Sequence, residues 1–296
     1  MSDFLLHLIS ITGIYALIAL ALNIQAGYAG LLNFGHIAFV GIGAYSAGIG
    51  TQLGLPFVQA SLIGIVVAML VGAGMAALGR QLAADYWGIA TLAVAEIIRT
   101  VAINEDQLTG GAQGLGNIVA PWSTGSQQQD SLIFTVVILL ALLLVALMSL
   151  RLGKSRFGRA LRLMREQPQL ATCMGYPLQW LKCRALMCSA AIGAGAGVLL
   201  AYYTSYVSPD YLLSSETFLI WSMVMIGGLG NVAGVLLGVL VVQCLYSFIP
   251  FAKDIFNISS DITGALRLGA VGVMLLACLL GRAGGLLPER LRRIPS

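Results

Sequence analysis

Along this chain the apolar residues neither alternate nor recur as a stripe; they run on. Nine stretches are almost wholly apolar, at roughly 4–24, 31–51, 57–79, 84–103, 131–151, 184–204, 213–227, 231–249 and 263–281. A helix that crosses a bilayer needs about 20 such residues, because each adds about 1.5 Å toward a hydrocarbon layer about 30 Å thick. A helix also satisfies its own backbone hydrogen bonds, which lipid cannot do. The pattern therefore predicts an all-α polytopic membrane protein, one transmembrane unit over 1–296, with about nine spans (eight to ten). The seventh stretch is short, and the second is glycine-rich and open to being broken or re-entrant. The opening "MSDFLLHLISITGIYALIALAL" has no basic region and no clear cleavage site, so it reads as the first span and not as a signal peptide.

Composition agrees with the pattern. Apolar types make up 58% and charged types 9%, against roughly 25% charged in soluble domains. The net charge of +4 is clustered, not spread as a nucleic-acid surface would need. No Lys or Arg precedes Arg80, eight basic residues fall between Arg151 and Arg184, and four more lie in the last fifteen residues. Basic clusters beside spans mark the cytoplasmic side. A loop at about 152–183 and the tail after Gly281 are thus expected inside. Counting spans from that loop puts the N-terminus, the 104–130 connection, 205–212 and 250–262 outside, with Arg80 and the 227–231 turn inside. The 104–130 loop carries no Lys or Arg and is too long for a simple turn; it reads either as a solvated connector or as a docking surface.

Few residues inside the spans carry chemistry. Glu96 and Arg99, three apart, share a helical face and are expected to pair. Glu216 opens the seventh span and Arg267 the ninth. His36, in "NFGHIAF", reads as a packed histidine, or as a contact for a substrate. Gly230, Gly234 and Gly238 make a double GxxxG, Gly193 and Gly197 another, and Ala44 and Gly48 a related pair. Small residues let helices approach closely in lipid, within this chain or against a second membrane subunit. The segments "GYAGLLNFGHIAFVGIGAY" and "GGLGNVAGVLLGVLVV" resemble each other, each a glycine-studded turn, an Asn and a small-residue helix, as in a degenerate repeat flanking a pathway. Catalytic and metal motifs are absent, and the five cysteines have no ligand spacing. "LGKS" at 152–155 lacks the phosphate-loop glycine, since that position is Met148; no ATP site or other cofactor is expected in this chain.

One segment does not belong in lipid: "GRALRLMREQPQLATCMGYP". Arg159, Arg162 and Arg165 recur every three residues and so are expected to line one helical face. Leu161 and Met164 lie on another side, and Pro168 and Pro177 bracket "QLATCMGY". Anionic lipid would account for the arginines but not for "ATCMGYP". A short helix that fits a groove in a cytoplasmic partner accounts for both.

Together with "LNIQAGYAGLLNFGHIAFVGIGAYSAG", "GIATLAVAEIIRTV", "LTGGAQGL" and "SPDYLLSSETFLIWSMVMIGGLGNVAGVLLG", this segment resembles the inner-membrane permease subunit of bacterial ABC importers for branched-chain amino acids and related amides. The resemblance implies a second homologous permease, two cytoplasmic ATPase subunits that hold the ATP and Mg, and a periplasmic substrate-binding protein. It implies that the segment is the coupling loop, with Arg159, Arg162, Arg165, Glu166, Ala171 and Gly175 carrying it. The family often has an acid with paired alanines where this chain reads "QPQLATCM". A zwitterion would need polar groups along its path, and Asn23, Gln25, Asn33, His36, Thr91 and Ser222 are the candidates. The alternative is a secondary transporter or channel, for which Glu96 or Glu216 would carry the coupled ion.

Overall fold

The computed structural model describes residues 2–80, 82, 84–120, 127–256, 260–281 and 284–289. The basic tail positions Arg282, Arg290, Arg292 and Arg293, and 121–126 of the long loop, lie outside the described residues.

Each predicted stretch carries a helix: α1 (Ser2–Asn23), α2 (Ile37–Gln52), α3 (Phe57–Leu78), α4 (Ala84–Asn104), α6 (Gln127–Lys154), α9 (Leu178–Thr204), α10 (Ser214–Gly227), α11 (Val232–Phe256) and α12 (Ser260–Gly281). Three short helices lie between them: α5 (Asp106–Thr109), α7 (Arg156–Glu166) and α8 (Pro168–Cys173). Among the described residues, five helices are long and apolar enough to cross a membrane by length and composition: those at Phe4–Tyr28, Phe57–Leu78, Tyr86–Asn104, Gln129–Lys154 and Leu178–Thr204. This is an all-α membrane protein.

Two helix starts depart clearly from the expectation, each for a local reason. The second helix starts at Ile37 and not near 31, because α1 ends in a π-helical turn (Ile24–Tyr28) and the chain then folds back on itself through residue 36. That leaves α2 with 16 residues, short of the about 20 that hydrocarbon requires. The sixth span reaches back to Leu178, where Pro177 stops any earlier start. The seventh, at 14 residues, is as short as its apolar run.

Helix α1 is the axis of the fold. It packs against α6, α9, α10 and α11, and Leu17, Ile18, Ala19, Leu20 and Leu22 are buried. An all-round apolar helix of this kind belongs in an interior. Helix α9 is likewise mostly buried, against α2 and α3, while α3, α4 and α6 present most of their surface outward. On α6 the exposed side chains include Leu139, Leu140, Leu143 and Leu144, a face that only lipid or another apolar surface can cover.

The two ends differ. At one, the Gly27–Gly30 turn, Gly79, α7, α8, the 228–231 turn and the segment 284–289 come together. At the other, α5, a two-residue antiparallel ribbon (β1, Leu115–Gly116, with β2, Tyr206–Val207) and the 209–212 turn pack over α2. Connections expected on one side of the bilayer thus lie together.

Candidate functional site

The basic segment folds as two short helices. Ser155 caps α7, its Oγ accepting a hydrogen bond from the Gly158 amide at 3.1 Å, a role for which serine is well suited. The amphipathic pattern then buries Leu161 and Met164. The three arginines take different partners. Arg159 turns outward to the Lys154 carbonyl, 2.7 Å away. Arg162 lies over the Tyr28 ring, 5.0 Å from its centroid, and pairs with Glu289 at 2.6 Å. Arg165 pairs with the other Glu289 oxygen at 2.9 Å and donates to the Gly27 carbonyl. Glu289 therefore clamps two arginines of α7 where α1 ends. Gly30 makes room for this, since a side chain there would strike the stem of Arg165.

Pro168 opens α8 at a position where its missing N–H costs nothing. Gly175 closes it at φ +81°, a left-handed conformation suited to glycine, with the Tyr176 amide bonded back to the Ala171 carbonyl at 3.0 Å. Ala171 points inward and is fully buried, whereas Leu170 and Met174, four apart, stand exposed, Met174 at 63%. Glu166 is exposed and pairs with Arg165 at 3.1 Å.

Five of the six candidate pathway residues are buried and bonded within the chain. Gln25 donates to His36 Nδ1 at 2.6 Å and accepts from Asn33 at 3.1 Å. His36 Nε2 lies 3.3 Å from the Ile18 carbonyl and donates to it. Asn33 accepts from the Gly35 amide, and its carbonyl accepts from the Trp221 indole at 2.9 Å. Thr91 accepts from the Phe34 amide, and Thr217, which no sequence pattern singles out, accepts from the Ile37 amide. Asn23 accepts from the Gly230 amide at 2.8 Å. These groups hold the backbone of 29–37, where no regular ladder exists to satisfy it. Ser222, the sixth, is partly exposed and bonds to the Phe218 carbonyl.

The glycines pack inside the chain. A side chain on Gly197 would land on the Val40 carbonyl of α2, and one on Gly193 would touch Phe39. Gly234 and Gly238 of α11 meet the backbone of α10 around Gly227. Gly230 belongs to the turn before α11, at φ +82°, facing Glu289. The two similar segments touch, because a side chain on Gly27 would strike the Gly230 amide. Glu96 and Arg99 pair at 2.8 Å on the outer face of α4, with Glu96 half exposed. Among the described residues no cluster of His, Cys, Asp and Glu could hold a metal.

Residues 4–279 match the family described as branched-chain amino acid transport system / permease component. The chain belongs to that family. This permease is 29% identical to the probable branched-chain amino acid transport permease protein LivM of Methanocaldococcus jannaschii, covering 94% of this chain and 91% of that one. It is 28% identical to the high-affinity branched-chain amino acid transport system permease protein LivM of Escherichia coli K12, covering 94% of this chain and 69% of that one. It is 27% identical to the probable permease protein LivH of M. jannaschii, over 91% and 87% of the two chains. The permease is a multi-pass inner-membrane subunit of an ABC transporter and not an enzyme. Glu289, Tyr28, Gly27, Thr217 and Trp221 hold the buried network and the clamp, yet none is a candidate on sequence grounds. Glu289 sits in a tail with no motif and carries no signal, whereas Tyr28 and Gly27 at least belong to the glycine-rich stretch that opens the 29–37 turn.

Proposed function

We propose that this permease forms one half of the pathway of an ATP-driven importer of branched-chain amino acids. The second half is a similar permease, two ATPase subunits dock at the arginine-bearing end, and a substrate-binding protein docks at the ribbon end. In this reading nine helices cross the bilayer, the N-terminus and the 104–120 segment lie outside, and 152–183 lies inside. The observation that carries it is the tie of Arg165 to Gly27 and Glu289. A push on α7 reaches the end of the central helix through one side chain. Leu170 and Met174, exposed beside Glu166, supply what a partner groove needs: apolar anchors four residues apart. The buried Ala171 keeps α8 on the body of the permease. The half-exposed Glu96–Arg99 pair, near the middle of a span, supports placing that face of α4 toward the second permease, since charge facing lipid there costs at least about 2.5 kcal/mol.

The test is affinity purification of the tagged chain from native membranes, with a Leu170→Asp/Met174→Asp variant beside it. Both side chains are exposed, so the variant should reach the membrane at normal levels. It should lose the two ATPase chains and retain the second permease. Retention of both ATPases together with normal leucine uptake would remove the coupling role from this segment.

A further inference from the structure

A cavity of about 250 Å³ opens toward the ribbon end between α1, α2, α9, α10 and α11. Its walls fall into two parts. Ile18, Ile37, Val40 and Leu219 make an aliphatic floor. Above them stand Glu216, Tyr15, Gln243 and Tyr211. Such a division, an apolar body with a few convergent polar groups, is what small-molecule sites share.

Two of the polar groups have no sufficient structural reason to be there. Glu216 lies in the first turn of α10, where the helix N-terminus favours an anion. Its side chain takes one hydrogen bond among the described residues, from the Tyr15 hydroxyl at 3.0 Å. A carboxylate has about four acceptor sites, so most of its capacity is unused. Gln243 is only 7% exposed and lines the same cavity, and its side chain makes no hydrogen bond among the described residues. The cavity is therefore what gives that amide something to face, where α11 could otherwise carry a leucine with no polar group to satisfy.

We infer that this cavity is a substrate subsite within the single chain, which takes a small solute with an ammonium group and a branched aliphatic body. Glu216 accepts the ammonium, the Gln243 amide donates to the solute's carboxylate, and the floor of Ile18, Ile37 and Val40 takes the side chain. Occupancy is then felt below: the Ile18 carbonyl holds His36, and the Ile37 amide is held by Thr217, so the floor is the top of the buried network that ends near Arg165. The inference rests on the importer reading for the identity of the solute.

The test uses the assembly purified through this chain, reconstituted in vesicles, with leucine uptake and equilibrium binding of tritiated leucine. Glu216→Gln should weaken leucine binding roughly tenfold or more, as loss of one partner of a buried charge pair does, and raise KM accordingly. Competition separates the two polar groups: 3-methylbutylamine should lose affinity for Glu216→Gln, and 4-methylpentanoate should not. Gln243→Leu removes an unpaired amide, so it should fold at least as well as the parent while losing 4-methylpentanoate binding. If both variants assemble and bind leucine as the parent does, the subsite is overturned and the importer reading stands. If the parent assembly, with its binding protein, carries no leucine or related amino acid, the importer reading falls and takes the subsite with it.

Discussion

At the scale of single residues, this permease uses polar groups sparingly and leaves few idle. His36 shows the economy. One ring nitrogen accepts from Gln25 and the other donates to the Ile18 carbonyl, so the imidazole joins α1 to a turn that has no ladder of its own. His36→Leu would orphan the buried Gln25 amide and remove the tie to the Ile18 carbonyl. The orphan alone costs about 1–3 kcal/mol, so the purified protein should melt several degrees lower, as scanning fluorimetry in detergent would read. Retention of the parent's melting temperature would mean that the network is not structural. Glycine works the other way, by what it leaves out. Gly197→Val drives a side chain into the Val40 carbonyl, and overpacking of this kind costs about 1–3 kcal/mol or more. The variant should accumulate poorly, whereas Gly195→Ala, whose new methyl would meet nothing, should accumulate normally.

At the scale of elements, length and apolarity announced every long helix, because a span must be built from unbroken apolar sequence. What they could not announce was where hydrogen bonding to distant side chains would end a helix. The start of α2 at Ile37 depends on Thr217, Thr91 and Gln25, and no local pattern encodes that. The arginine-rich segment was legible as a helix, but the spacing of Arg159, Arg162 and Arg165 says nothing of their partners. In the fold the first turns outward and the other two share Glu289. Glu289 lies 124 residues beyond Arg165, so its partnership leaves no trace in periodicity. A charge-assisted hydrogen bond of this kind contributes about 1.5–3 kcal/mol. Glu289→Gln should therefore lower the rate of leucine uptake by roughly tenfold while the ATPases still co-purify; an unchanged rate would show that force does not pass through the clamp.

At the scale of the whole molecule, the arrangement is one central helix with a site-like cavity toward one end and a charged clamp at the other. Glu96 and Arg99 sit apart from both, facing outward from α4. If the second permease covers that face, Glu96→Cys should cross-link to the partner permease in native membranes, and Leu140→Cys, on the leucine face of α6, should not. Equal cross-linking from both would dissociate the charged face from the pairing surface. The cavity itself was not legible in advance. Glu216 stood out as a charge, but Gln243 is one glutamine in an apolar helix, and only folding puts the two on one wall.

The bond between Asn23 and the amide of Gly230 closes a separation of 207 residues. A ribosome adding about 5–20 residues per second takes roughly 10–40 s to make that stretch. The first helix therefore enters the membrane long before the groups that complete its polar lower half have been synthesised. Gln25, Asn33 and His36 can already hold one another, but over that interval Asn23 must be sheltered by something other than its final partner: the insertion machinery, a water-filled vestibule, or a position nearer the membrane surface. A late-made part of this permease is thus the part that lets the first-made part settle.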